Sequence, residues 1–105
     1  MRLGFLLLWG DVMKLELYVP DEPAFPARLL KAGMIDKFGG LTATAATGSW
    51  KSLIDGATIT EPIEICTVYA DQVDVKELEQ FLGMYKVAAA QEAVMYVMDG
   101  KQVLL

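Results

Sequence analysis

From Lys14 to Val19 the chain alternates: Leu15, Leu17 and Val19 fall on one side, Glu16 and Tyr18 on the other. A period of two marks a strand with one buried face. The "PDEP" that follows closes it, with Asp21 placed to cap a helix and Pro23 where a first helical turn tolerates proline. From Ala24 to about Phe38 the period lengthens, and Phe25, Leu29, Leu30, Met34 and Phe38 recur at helical spacing. Pro26 confines the regular helix to the part after it, and Gly39-Gly40 stop it.

"LTATAAT" (41–47) reads as a strand of threonines and small residues, followed by "GSW"; Gly56 marks a loop, and "PIEICTVYA" (62–70) is the clearest strand in the chain. Asp74 caps a second helix whose apolar stripe is Val75, Leu78, Phe81, Leu82 and Tyr85. "EAVMYVM" is the next strand, and Asp99-Gly100 is the strongest hairpin signal, leading to a short last strand, "KQVLL". The order β-α-β-β-α-β plus one strand predicts an α+β domain with an antiparallel sheet and two helices on one face, the ferredoxin-like arrangement.

The other face matters more for function. In 63–69, Ile63, Ile65, Thr67 and Tyr69 alternate with Glu64, Cys66 and Val68; in 93–98, Ala93, Met95 and Val97 alternate with Val94, Tyr96 and Met98. Strands that are apolar on both sides do not suit a half-wet sheet. The expected cover is another copy of the chain: a homotrimer with clefts between subunits, burying the face that carries Tyr18, Cys66 and Val68. Glu64 is expected on that face too, where a carboxylate needs a partner such as Lys14 or Lys86.

Composition narrows the chemistry. A chain of 105 residues holds one core, and 54% apolar with 22% charged residues is a globular composition rather than a disordered one. Nine scattered Lys and Arg against a net charge of −5 leave no basic stripe for nucleic acid or an anionic membrane. Cys66 is the one cysteine, so no intrachain disulfide forms, and its strand-like neighbours suit a small core residue. No histidine is present, which removes Ser-His and Cys-His nucleophile pairs and His-based zinc sites. Carboxylates, phenols or backbone groups must do any chemistry, or the substrate supplies its own reactive group. No metal or cofactor is expected.

The run Leu3–Trp9 is far too short to span a bilayer, and no small-x-small cleavage site follows it. Codons for Trp9 to Val12 can carry a ribosome-binding signal ahead of Met13. Residues 1–12 are therefore expected to be an adventitious leader, with the domain running from 13 to 105.

Four features remain: "G-x-W" at 48–50, "T-E-P" at 60–62, "Y-K" at 85–86 and "Q-E-x-V" at 91–94. Together they resemble a family of small ferredoxin-like bacterial proteins and, more distantly, the S-adenosylmethionine lyases of bacteriophages. The likeness covers roughly residues 39–98. It implies a trimer with sites between subunits, a cytoplasmic setting in a bacterial host, and S-adenosylmethionine as substrate. The lyase pattern has a glutamate eleven residues after an aromatic, which falls here on Glu61 after Trp50. Where the lyases carry tyrosine, this chain carries Trp50, and an indole donates one N–H and accepts nothing.

The chemistry implied suits what is present. A sulfonium contains its own leaving group, and its own carboxylate is an internal nucleophile, giving methylthioadenosine and a lactone. An indole face such as that of Trp50 holds a cation, and Glu61 can anchor an ammonium or ribose hydroxyls. Those two are the catalytic candidates; Gly48, Ser49, Glu64, Tyr85 and Gln91 are the substrate-binding candidates. Gln91 and Glu92 also stand where the second helix must end, and so read equally as caps. Two other functions compete: a ligand-binding or sensing trimer of the PII or CutA kind, and an accessory protein that binds another protein.

Overall fold

The computed structural model describes residues 12–20 and 25–105. Its elements are β1 (Met13–Pro20), α1 (Phe25–Phe38), β2 (Thr42–Lys51), β3 (Thr58–Ala70), α2 (Val75–Ala88), β4 (Met95–Met98) and β5 (Lys101–Leu104). The expected leader falls, but for Val12, outside the described residues, as do the expected cap Asp21 and Pro23. Among the described residues no helix is long and apolar enough to cross a membrane.

The strands form one antiparallel sheet in the order β2-β3-β1-β4-β5, the ferredoxin-like order with β5 added at the edge beside β4. Register decides which side chains meet the helices. Leu15 lies opposite Val68 and Met98, and Leu17 opposite Cys66 and Tyr96. Cross-strand partners share a face, so these residues and Val19 form one apolar sheet. Leu30 and Met34 of α1 and Leu78, Leu82 and Tyr85 of α2 close over it. Each large aliphatic chain buried there contributes about 1.5–3 kcal/mol.

This register corrects the expected open face. Cys66 and Val68 lie in the core, at 1% and 2% exposure, and Tyr18 belongs to the opposite face with Ile65, Thr67 and Met95. A shift of one residue in a period of two moves a whole set of side chains across the sheet. Glu64 moves with its neighbours: it sits opposite Val19 on the helix side and ion-pairs with Lys31 of α1, not with Lys14 or Lys86. Burial pushes the Cys66 thiol pKa up, the Glu64 charge adds to this, and Lys31 opposes it.

The helices keep most of their expected stripes. Leu29 and Val75 depart, at 54% and 43% exposure, because the buried face of α1 runs through Ala27, Leu30 and Met34 and that of α2 through Leu78, Leu82 and Tyr85. Gly33 lets α2 come close: a Cβ there would stand 2.5 Å from Cζ of Phe81. Asp74 caps α2 by accepting from the Glu77 amide at 3.1 Å. At the other end the chain turns through Ala90 at φ +53°, where the Gln91 amide donates to the Lys86 carbonyl at 3.0 Å. That left-handed position normally takes glycine. Asp99 and Gly100 both have positive φ, as the β4–β5 turn requires, and Asp99 Oδ1 also accepts from the Lys14 amide at 2.8 Å.

Candidate functional site

The ladder between β3 and β1 ends at Ile63, opposite Pro20, whereas β3 stays paired with β2 back to Thr58. Residues 47–51 and 58–62 thus form a two-stranded arm beyond the body of the sheet. Both strands are longer than their patterns suggested. Gly48 and Ser49 pair with Glu61 and Thr60, and the Ser49 and Thr60 hydroxyls meet at 2.9 Å. Pro62 is tolerated inside β3 because, among the described residues, the β1 ladder has already ended at Ile63 and leaves no partner on that side to need its missing N–H.

Residues two apart on a strand share a face. Trp50, Gly48, Glu61 and Ile63 therefore line the side of the arm continuous with Tyr18, Ile65 and Met95. A cleft of about 440 Å³ opens there, the size of a small-ligand site. Tyr18, Ile63, Ile65 and Met95 line its floor; Gly48, Ser49, Trp50, Lys51 and Glu61 come from the arm. Tyr85 from α2 and Gln91, Glu92 and Ala93 from the α2–β4 connection supply the opposing wall.

The sequence motifs acquire reasons here. A Cβ on Gly48 would stand 3.2 Å from two methyl carbons of Ile63 and from Cζ3 of Trp50, so glycine lets the indole fold down beside Ile63. Trp50 keeps 39% of its surface exposed. Directly across the ladder from Gly48, Glu61 is half-buried, and its Oε1 is shut from water with no hydrogen-bond partner among the described residues. A buried acceptor left without a donor costs roughly 1–3 kcal/mol. Tyr85 is 5% exposed and presents an edge to the cleft from the last turn of α2. Gln91 lines the cleft while its Nε2 donates to the Ala89 carbonyl at 3.2 Å.

Six of the seven expected site residues thus meet in one cleft. Glu64 does not: its side chain points to α1, on the other side of the sheet. Glu92, which the sequence offered as part of the "Q-E-x-V" motif and as a cap but not as a site residue, also lines the cleft. It accepts from the Ser52 hydroxyl at 2.7 Å and from the Leu53 amide at 3.3 Å, joining the arm to the opposing wall. Its partners lie some forty residues away, beyond the reach of any local signal. Among the described residues no three His, Cys, Asp or Glu side chains gather as metal ligands do. The charged groups on the cleft are Glu61, Glu92 and Lys51, so its lining is net acidic.

Solved structures share this architecture. A phage SAM lyase in complex with S-methyl-5'-thioadenosine matches with a TM-score of 0.68 at 14% identity, covering 100% of this chain and 93% of that one. The likeness is one of fold. The apo phage SAM lyase gives 0.58 at 13% identity, over 92% of this chain and 91% of that one. CutA from Synechococcus elongatus gives 0.51 at 12% identity, over 90% and 74%. No family profile matches the chain, and no curated protein matches it in sequence.

Proposed function

We propose that the cleft binds S-adenosylmethionine and cleaves it to methylthioadenosine and homoserine lactone. The observation that carries this reading is the juxtaposition of the Trp50 indole with Glu61, whose buried Oε1 finds no donor among the described residues. A ligand bringing a cationic sulfonium together with ammonium and ribose donors supplies what both lack: a positive charge for the indole face, worth about 0.5–2 kcal/mol, and a donor for the carboxylate. The resemblance in fold to a lyase solved with S-methyl-5'-thioadenosine supports the same ligand class.

The reaction balances without a protein nucleophile. The substrate's own carboxylate oxygen attacks its γ-carbon, and the carbon–sulfur bond breaks with its electron pair passing to sulfur. The products are a neutral thioether and a five-membered lactone, and no proton moves. The carboxylate and sulfonium charges annihilate in the transition state, so a cleft floored by Tyr18, Ile63, Ile65 and Met95 favours the step by partly stripping the substrate of water. Trp50 and Glu61 hold the substrate curled into a near-attack geometry.

A homotrimer is part of the reading. Tyr18, Ile65, Thr67 and Met95 lie on the sheet face away from the helices, and packing three such faces covers them and encloses the cleft. The setting is the cytoplasm of a bacterial host, where the substrate is made.

One observation favours a second reading. Trp50 stands where the lyases carry a hydroxyl-bearing aromatic, and the fold also resembles that of CutA, so a trimer that binds a small ligand without turning it over fits as well. Incubation with S-adenosylmethionine followed by mass spectrometry separates the two. Methylthioadenosine and homoserine lactone in equal amounts support the lyase. A ligand-dependent rise in melting temperature without products supports the sensor. Neither result overturns both and leaves a protein-binding role.

A further inference from the structure

The turn between β2 and β3, Ser52 to Ala57, is closed on itself. The Ser52 amide donates to the Ala57 carbonyl at 2.8 Å, the Gly56 amide to the Ser52 carbonyl at 3.0 Å, and the Ala57 amide to Asp55 Oδ1 at 2.9 Å. Its tip has very little packing among the described residues: Leu53 and Ile54 are 71% and 82% exposed. What fixes it to the rest of the molecule is polar. Ser52, the one buried polar residue among those described, donates to Glu92 Oε1 at 2.7 Å, and the Leu53 amide donates to Glu92 Oε2 at 3.3 Å. The same Ser52 hydroxyl accepts from the Ile54 amide at 3.1 Å, so the bond extends into the tip.

This connection spans the molecule. β2 and β4 are separated in the sheet by β3 and β1, yet the end of β2 touches the residues just before β4. The left-handed turn at Ala90 brings the chain out of α2 so that Glu92 reaches across. Leu53, Trp50 and Glu61 lie on the arm side of the cleft and Glu92 on the other. The Ser52 hydroxyl is not part of the lining.

We propose that Glu92 is a positioning residue: its carboxylate latches the Ser52–Ala57 turn to the opposing wall and so sets how the cleft opens to ligand. Breaking the latch frees the turn to swing as one piece, because its internal hydrogen bonds survive. The arm bearing Trp50 loosens with it, and ligand leaves faster. Glu92 acts through Ser52, not by touching the ligand. The second half of this inference rests on the cleft being the ligand site; the first half does not.

Amide hydrogen exchange on the full chain without ligand tests the latch alone. Glu92→Ala should raise exchange by about tenfold at Leu53, whose acceptor it removes, and also at Ile54, whose acceptor on Ser52 remains; Ser52→Ala, which leaves the Leu53–Glu92 bond in place, should raise exchange at Leu53 by less. Exchange at Leu17 and Leu82 should not move. Glu92→Gln, which keeps one acceptor for Ser52, should fall between these and the unchanged chain. Unaltered exchange at Leu53 in Glu92→Ala overturns the proposal, as does acceleration spread evenly over the core. The second readout is the release rate of S-methyl-5'-thioadenosine as probe. Acceleration in both Ser52→Ala and Glu92→Ala, smaller in the first because the Leu53–Glu92 bond remains, supports action through the turn; acceleration in Glu92→Ala alone overturns it in favour of direct ligand contact. A probe that binds none of the proteins, with the exchange result as expected, counts against the ligand assignment and leaves the latch standing.

Discussion

The two faces of the sheet are made by the same strands and end differently. On the helix side, Leu15, Leu17 and Val19 are fully buried, and Cys66, Val68 and Tyr96 nearly so. On the other side Tyr18, Ile65 and Thr67 are half-covered, and Tyr69 is 57% exposed. The first face is satisfied within one chain. The second carries the cleft floor and Glu61, and the described residues leave it partly uncovered. Under the proposed function, alternate residues of β1 and β3 serve stability and binding separately, and a substitution in one set should leave the other intact.

The largest effect is expected on the helix side. Leu17→Ala should cost about 2–5 kcal/mol in denaturant unfolding through the cavity it leaves, while the folded fraction binds ligand as before; a loss of affinity in that fraction would break the separation. Thr67→Lys probes the open face. It places a lysine across from Glu16, which one chain tolerates, but in a packed trimer that ammonium is buried. Light scattering should show monomers with a nearly unchanged melt, and an unaltered mass would remove the open face from the assembly.

Glu61→Gln should weaken binding of S-methyl-5'-thioadenosine or turnover of S-adenosylmethionine by roughly one to two orders of magnitude, the equivalent of about 1.5–3 kcal/mol for a charge-assisted contact. Its melting temperature should hold or rise, since a buried oxygen without a donor stabilises nothing. Silence in both assays would return Glu61 to the scaffold. The smallest effect belongs to Tyr96, whose hydroxyl donates to Glu79 Oε2 at 2.6 Å. Burial first, then that bond, push its pKa from 10.0 up to about 12. The folded state then holds the proton to higher pH than the unfolded chain does. The contribution is complete below about pH 10 and is lost as pH rises through about 12. Tyr96→Phe should flatten this alkaline decline in melting temperature and cost about 1 kcal/mol at neutral pH.

The sequence made the element order readable because β1 and α2 carry clear periods, β3 is a largely apolar β-branched run, and Asp74 and Asp99-Gly100 are strong local signals. It could not assign faces. With apolar residues on both sides of 63–69, parity alone left Cys66 and Val68 on the wrong side, and only the pairing of Leu17 with Cys66 resolved it. The strand ends of the arm were hidden for a related reason: Gly48 and Ser49 read as the end of one strand and Pro62 as the start of the next, and the residues beyond them join the strands only when paired. The Gly48–Trp50 motif and Glu61 were visible as a short motif at fixed spacing. Glu92 was visible as a residue but not as a tether, because nothing local points from position 92 to position 52.

The central place of β1 has a consequence for how the chain is made. It is the first described strand to be synthesised, but its neighbours are β3, fifty residues or so later, and β4, later still, as the pairing of Leu15 with Met98 requires. The β2–β3 hairpin closes locally; β1 waits. Until β4 emerges from the ribosome, one edge of β1 lies open beside Leu15 and Leu17, a template for wrong pairing between neighbouring nascent chains. A chain stopped at residue 90 is therefore expected to bind a hydrophobic dye and aggregate, whereas the full chain does neither; a soluble, dye-silent truncation would show that β3 alone seals β1.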